Sequence, residues 1–213
     1  MIALTISDLM EPNAACLRLS ELITRAKSFG APDAICIRND SFSEEPFASV
    51  AELVGDLWDG TILLESEVPT NISKAAIHIM GRRPIIIGAN SNNLEQFAMV
   101  SKLFDCPLCI SAETTEELLE LSKTAESMEV SDIYLDPMLR NMKQCLESCT
   151  EITRLAEMCP EAAHPIAIRT WSGEYAMTMA TVSLLVCDAL VIADDLDLDS
   201  CETLGALVSS VRP

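Results

Sequence analysis

Polar side chains that suit a flat heterocycle gather in the middle of the sequence. Asn90 and Asn92 follow one apolar run, Ser111 and Glu113 follow the next, and Asp136 ends a third in the sequence LDP. A carboxylate accepts hydrogen bonds from an amino group or a ring N–H, and amides both donate and accept. This set predicts a site for a planar, nitrogen-containing ring. The alternative is that Asn90 and Asp136 only cap the helices that follow them.

A second cluster lies in the sequence RTWSGEY. Arg169 and Glu174, with Tyr175 next in the chain, could bind a charged group, and Trp171 could stack on a planar one. The alternative is a surface ion pair that the tryptophan covers.

An acidic loop supplies the third cluster. Clustered carboxylates can bind Mg²⁺ or Ca²⁺, but this spacing lacks the glycine and the distal glutamate of a calcium loop. We therefore expect a solvated helix start and no metal. The four residues are Asp194, Asp195, Asp197 and Asp199.

The nine cysteines allow several interpretations. Cys106 and Cys109 form a CxxC sequence, but it enters a strand and no second pair with metal spacing follows it. Cys145 and Cys149 share one helix face and could contact each other or Cys159. Buried, unreactive thiols are the interpretation that we favour over a zinc or redox site.

Eight short apolar runs, each followed by a helix-like stretch, must position these groups. This alternation predicts an α/β fold, a single (β/α)₈ barrel over residues 1–213, with chemistry in the loops after the strands. An open, doubly wound sheet is the alternative. The helix-like stretch Ala176–Val186 is almost wholly apolar and is expected to pack in the core. The predicted strands are Ile2–Ile6, Asp33–Ile37, Thr61–Leu64, Pro84–Gly88, Pro107–Ile110, Asp132–Leu135, Pro165–Ile168 and Ala189–Ala193.

Composition excludes several functional classes. Of the 213 residues, 49% are hydrophobic, which excludes a disordered chain. A net charge of −19 repels nucleic acids and anionic membranes. It suits a soluble protein, which is the interpretation that we favour, or one that docks against a basic partner. The sequence leaves open whether the protein forms an oligomer. The start resembles no signal peptide and no apolar run is long enough to span a membrane. We expect a cytoplasmic protein with reduced thiols, and so many free cysteines hint at an anaerobic cell.

The stretch from Gly81 to Asp194 resembles a known family. It contains RPIIIGANSNN, FDCPLCISAE, SDIYLDP and HPIAIRTWSGEYAMTMATVSLLVCDALVIAD in this order. The pattern resembles the barrel domain of the large (gamma) subunit of the corrinoid iron–sulfur protein, from the CO dehydrogenase/acetyl-CoA synthase system. The resemblance implies similarity to the pterin-binding barrels, dihydropteroate synthase and methyltetrahydrofolate methyltransferases. In those families the aspartate of the LDP strand end binds the pterin, and Asp136 matches it.

The sequence departs from this family in three ways. It begins at the first strand without the four clustered cysteines of an iron–sulfur segment, and it ends at Pro213 without a corrinoid domain. His78 and His164 are not in the DxHxxG pattern of corrinoid sites. We therefore expect this chain alone to bind neither an iron–sulfur cluster nor a corrinoid.

Three functions remain open. The barrel could support methyl transfer to or from a corrinoid that a partner carries, which we favour. It could be a stand-alone methyltransferase that binds a methylated pterin, although the loop after the second strand shows no Asp–Asn set of the usual kind. It could also be a non-catalytic structural or regulatory barrel. The predicted mouth residues are Asn90, Asn92, Asp136, Arg169, Trp171, Glu174 and Asp194.

Overall fold

Strands and helices alternate strictly along the chain. The computed structural model describes residues 1–159, 163–170, 176–194 and 196–211. The strands are β1 (Ile2–Ser7), β2 (Ala34–Arg38), β3 (Thr61–Glu65), β4 (Ile85–Ala89), β5 (Leu108–Ser111), β6 (Ile133–Asp136), β7 (Ala167–Thr170) and β8 (Leu190–Ala193). The helices are α1 (Pro12–Phe29), α2 (Glu44–Leu57), α3 (Pro69–His78), α4 (Leu94–Phe104), α5 (Thr115–Ser127), α6 (Met142–Met158), α7 (Ala176–Cys187) and α8 (Leu198–Val211).

The eight strands form a nearly closed parallel barrel. Their order is β6-β5-β4-β3-β2-β1-β8-β7, and β1 pairs with both β2 and β8. Between β6 and β7 there is one isolated bridge, from Leu135 to Ile166. The barrel predicted from the sequence is therefore confirmed, and the open doubly wound sheet is excluded.

All eight predicted strands coincide with observed strands to within one or two residues. Three predicted strands begin at a proline, and in each case the observed strand begins one or two residues later. The reason is that proline has no N–H to donate to the neighbouring strand. The three prolines are Pro84, Pro107 and Pro165.

The strands are buried on both faces, which explains their continuous apolar sequence. In β2, Ala34 and Cys36 face the barrel interior, whereas Ile35 and Ile37 pack in the larger cluster beneath the helices. This alternation follows from the two-residue period of a strand. The barrel is therefore a packed core, and the space for a ligand lies at its carboxyl end.

Helix boundaries follow local capping. Gly30 ends α1 in the left-handed conformation, with φ 70°, which glycine adopts without strain. Thr114 caps α5 by accepting a hydrogen bond from the N–H of Glu117 at 3.2 Å. Asn141 caps α6 in the same way, and this helix begins at Met142. Within the described ranges, no helix is both long and apolar enough to cross a membrane.

Candidate functional site

A cavity of about 390 Å³ opens at the carboxyl ends of the strands. This end of a (β/α)₈ barrel is where such folds place their sites. The cavity is lined by Arg38, Asn39, Asp40, Phe42, Glu65, Ser66, Glu67, Ile87, Gly88, Asn90, Ser111, Asp136, Met138, Leu139, Arg140, Arg169 and Ile192.

Two arginines on the cavity floor form ion pairs with acidic side chains, one of them nearby in the sequence and two from distant strands. Arg169 at the end of β7 pairs with Glu65 at the end of β3, and its other nitrogen lies 3.5 Å from Asp194. Arg38 at the end of β2 pairs with Asp40 at 2.8 Å and with Asp194 at 2.5 Å. Burial lowers the pKa of each guanidinium, but the surrounding negative charge outweighs it and leaves each pKa above its ordinary value. Both arginines therefore stay charged.

Asp136 is held in one orientation at the end of β6. One carboxylate oxygen accepts the N–H of Met138 at 2.9 Å, and the other accepts the hydroxyl of Ser111 at 3.1 Å. Burial raises the pKa of Asp136, although these two hydrogen bonds and the charge of Arg169 partly offset that effect. Each oxygen has a further lone pair. This carboxylate can therefore accept hydrogen bonds from a ligand in the cavity.

The loop after β4 holds its asparagines in a tight turn. Asn90 accepts the N–H of Asn92 at 2.9 Å, and Asn93 accepts the N–H of Asn90 at 2.7 Å. Asn90 lines the cavity, whereas Asn92 is exposed and does not line it. The N-cap of α4 is Asn93, so the prediction that Asn90 only caps this helix is wrong. The binding role predicted for Asn90 stays a prediction that its place in the cavity wall allows.

A buried network of polar side chains supports the mouth beside β1, β2 and β3. The amide nitrogen of Asn39 donates to Asp8 at 2.7 Å. Its oxygen accepts from Ser66 at 2.8 Å and from Asn71 at 2.7 Å. Ser41 also donates to Asp8, at 2.6 Å. The side chain of Asn39 is thus used within the protein, and its effect on the cavity is to fix the shape of the wall.

Two large apolar side chains stand at the rim. Phe42 and Met138 line the cavity, are 63% and 45% exposed, and have φ angles of 54° and 48°. Positive φ is unfavourable for bulky residues and often accompanies function. Farther out, Arg140 pairs with Glu113 at 2.5 Å. The mouth thus presents apolar contacts above a charged floor.

The structure brings together most of the described residues that the sequence singled out. Asn90, Ser111, Asp136 and Arg169 line one cavity, and Asp194 pairs with two of its arginines. Trp171, Glu174, Tyr175 and Asp195, which the sequence also nominated, lie outside the described residues.

Sequence reasoning missed the contribution of the second and third strands. Arg38 ends β2, and the loop in which no Asp–Asn set was recognised supplies Asn39 and Asp40. The next strand, β3, ends at Glu65. The available signal was the pair of polar sequences RND and ESE directly after two apolar runs.

Both cysteines of the CxxC sequence are buried in the protein interior. Cys109 packs inside the barrel and Cys106 packs beneath the helices, so the two thiols of the CxxC sequence belong to different clusters. All nine cysteines are free.

In the acidic loop, Asp197 accepts the N–H of Ser200 at 2.7 Å, as expected for a helix start. Within the described part of the chain, no group of three His, Cys, Asp or Glu side chains could hold a metal ion.

Comparison with known proteins places this geometry in a family. Residues 1–200 match the family described as CO dehydrogenase/acetyl-CoA synthase delta subunit. The chain is 36% identical over 107 residues to acetyl-CoA decarbonylase/synthase complex subunit gamma of Methanothermobacter thermautotrophicus, a match over 49% of this chain and 23% of that protein. It is 27% identical over 123 residues to the corrinoid/iron–sulfur protein large subunit of Moorella thermoacetica, over 58% of this chain and 28% of that protein. The matches thus span about a quarter of each of these relatives.

Solved structures agree on the fold. Dihydropteroate synthase of Vibrio fischeri superposes with a TM-score of 0.72 at 11% identity, over 99% of this chain and 92% of that one. The Yersinia pestis enzyme, solved with a pterine–sulfa conjugate, gives 0.68 at 13% identity, over 100% and 92%. The match over residues 1–200 and the barrel agree with the resemblance seen in the sequence, and the chain belongs to the CO dehydrogenase/acetyl-CoA synthase delta subunit family.

Proposed function

We propose that this barrel supports methyl transfer to or from a corrinoid that a partner protein carries, with the barrel mouth as the docking face. Family membership gives the context, because one relative is named as a subunit of an acetyl-CoA decarbonylase/synthase complex and the other as a corrinoid/iron–sulfur subunit. The geometry of the mouth supplies the physical support.

The observation that carries the proposal is that the polar groups of the cavity floor satisfy one another. Arg38 and Arg169 are paired with acids, and the amide of Asn39 is used within the protein. A floor of this kind keeps its shape without a ligand, which suits a rigid surface against which another molecule docks. A stand-alone catalyst would need more of these groups free to act on its substrate.

The residues of this chain do not fit a corrinoid of its own. The cavity is near the lower end of the range for small-ligand pockets, about 300–1,000 Å³. His78 ends α3 and His164 precedes β7, so both histidines lie at the end of the barrel opposite the mouth. Neither can donate to a cobalt centre at the mouth, which supports the proposal that a partner carries the corrinoid.

The rim residues would make the first contacts with such a partner. Phe42 and Met138 offer apolar surface that excludes water from the edge of a ring system. Beneath them, Asp136 and Ser111 would offer hydrogen-bonding groups to a molecule that enters the cavity. The net charge of −19 favours a partner with a basic docking face.

A pterin methyltransferase is the second candidate, and the geometry of Asp136 favours it. The carboxylate is oriented from two sides and keeps lone pairs toward a cavity of suitable size. Burial raises the pKa of this group, so it would retain a proton more readily than an ordinary aspartate. A non-catalytic barrel is the third candidate.

Two binding measurements separate these functions. The first is calorimetry with methyltetrahydrofolate and methyltetrahydromethanopterin, on the wild type and Asp136→Ala. The second is interferometry against the methylated corrinoid protein of the same cells, on the wild type and Phe42→Glu/Met138→Glu. Matched controls are Leu17→Glu/Met158→Glu, which change exposed side chains away from the mouth.

The proposal expects corrinoid-protein binding that the mouth substitutions weaken about tenfold or more, as for residues at the centre of an interface. The pterin methyltransferase would replace this proposal if the wild type bound a pterin saturably, Asp136→Ala removed that binding, and the corrinoid protein did not bind. Absence of both interactions would leave the non-catalytic barrel.

A further inference from the structure

Two neighbouring helices on the outside of the barrel leave an apolar groove uncovered. The groove between α3 and α4 has a volume of about 400 Å³ and is lined by apolar and small side chains together with Gln96. The lining residues that matter most are Pro69 and Ser73 from α3, and Met99, Val100 and Leu103 from α4. We call this the α3–α4 groove.

Exposed apolar side chains extend the groove along both helices. Met99 and Leu103, one turn apart on α4, are 62% and 74% exposed. Ile77 lies one turn beyond Ser73 on α3, and Met80 follows the end of that helix; these are 53% and 72% exposed. Single exposed apolar residues are ordinary, but a contiguous strip on adjacent helices marks an interaction surface.

The surface beside the groove is negatively charged, because its lysines are paired with glutamates. Lys74 of α3 forms an ion pair with Glu45 at 3.0 Å, and Lys102 of α4 forms one with Glu129 at 2.8 Å. At the end of the groove nearest the barrel mouth, Glu67 and Glu95 are exposed. A second copy of this chain, also with a net charge of −19, would be repelled. A positively charged partner would be attracted.

We propose that the α3–α4 groove binds an amphipathic helix of a partner protein, with its apolar face in the groove and lysine or arginine along its edges. The recognition mode is that of a helix in a hydrophobic groove. With 10 residues in α3 and 11 in α4, the groove is about 15 Å long, which matches about three turns of a helix.

The groove begins where the mouth cavity ends. Glu67 lines the cavity, and the next residue, Val68, lines the groove. A partner seated on the mouth can therefore place a helix down the side of the barrel. The groove is nevertheless a separate surface, so its role is independent of methyl transfer.

The test uses a fluorescein-labelled peptide of three to four turns, with leucine at a spacing of three and four residues and lysine along both edges. A second peptide has glutamate in place of each lysine. Fluorescence anisotropy is measured with the wild-type chain and with Met99→Glu/Leu103→Glu. Both side chains are exposed, so the fold should tolerate the change, and circular dichroism checks this. The matched control is Leu17→Glu/Met158→Glu, which removes one leucine and one methionine that are 73% and 78% exposed elsewhere.

The lysine peptide should bind the wild type and the control alike and bind the groove variant about tenfold more weakly or worse. Because both double variants add the same negative charge, such a loss cannot arise from net charge. Salt should weaken the interaction, and the glutamate peptide should bind at least about tenfold more weakly.

Three outcomes would overturn the proposal. The lysine peptide could fail to bind the wild type, it could bind the groove variant equally well, or the two peptides could bind alike. Sedimentation provides a further check: a wild-type dimer that only the groove variant dissociates would assign the groove to a second copy of this chain.

Discussion

Replacing Gly88 with alanine should destabilise the barrel more than replacing any other glycine that has a positive φ. Gly88 has φ 137°, and a Cβ added to it would lie 2.0 Å from the carbonyl oxygen of Ser66. Real Cβ contacts are essentially never shorter than 3.0 Å, so β3 and β4 would have to move apart by about 1 Å.

The backbone at Ser66, directly after β3, cannot move away easily because hydrogen bonds hold it. The N–H of Ser66 donates to Ile87 at 3.1 Å, and its hydroxyl donates to Asn39 at 2.8 Å. Alanine at this φ costs about 1–3 kcal/mol in backbone strain, and forcing a methyl group into a packed site costs about 1–3 kcal/mol more. We expect a loss near 4 kcal/mol, which for a chain of this length lowers Tm by about 8–16 °C.

The assay is urea unfolding followed by circular dichroism, with Gly81→Ala as the control. Gly81 also has a positive φ, 87°, but nothing lies within 4 Å of the position that a Cβ would occupy there. Gly81→Ala therefore reports the backbone strain alone, about 1–2 kcal/mol. If Gly88→Ala lowered the free energy of unfolding no more than Gly81→Ala does, the close approach of β3 and β4 would be refuted.

Three further predictions concern buried charge and thiols. Arg169→Met should lower the free energy of unfolding by up to about 3 kcal/mol, because it removes the charge that pairs with Glu65, whose side chain is only 20% exposed. In urea unfolding, the double variant Arg169→Met/Glu65→Gln should be at least about 1 kcal/mol more stable than the sum of the two single effects predicts. If the effects of the two substitutions simply added, the ion pair between Arg169 and Glu65 would be contradicted. Because burial raises the pKa of Asp136, the folded protein binds this proton more tightly, and the stability contributed by the group falls as pH rises from the ordinary aspartate pKa through the folded one. Asp136→Asn should therefore gain stability relative to wild type over that window in urea unfolding at a series of pH values, and a pH-independent difference would contradict it. With a thiol reagent that absorbs on reaction, Cys16 and Cys159 should react first because they are exposed. Replacing both by serine should remove that fast phase, and its persistence would contradict the assignment.

The strands were predictable because burial on both faces leaves a simple pattern in the sequence. Each strand is a short apolar run bounded by proline, glycine or charged residues, and repetition of the run eight times leaves few folds to consider. Helix starts were less predictable. Asn141 caps the first turn of α6, and that role depends on a backbone conformation that the apolar pattern does not encode.

The site was predictable only in part. Asp136 was found because it ends a recognisable apolar run. Arg38 was not, because its partner Asp194 lies 156 residues away and the pair forms only when the barrel closes. Asn39 was missed for a different reason: its side chain is enclosed by groups from three loops, and no single stretch of sequence contains them all.

The single bridge between β6 and β7 gives the barrel one preferred line of opening. There the strands are joined through Leu135 and the segment around Ile166. The other seven neighbouring pairs each have three or more residues in register, with one register shift between β4 and β5. Amide hydrogen exchange should therefore begin along this seam. Asp136 ends one edge of it and Arg169 lies on the other. A molecule that contacts both side chains bridges the seam. Binding at the mouth and opening of the barrel between β6 and β7 are therefore linked equilibria.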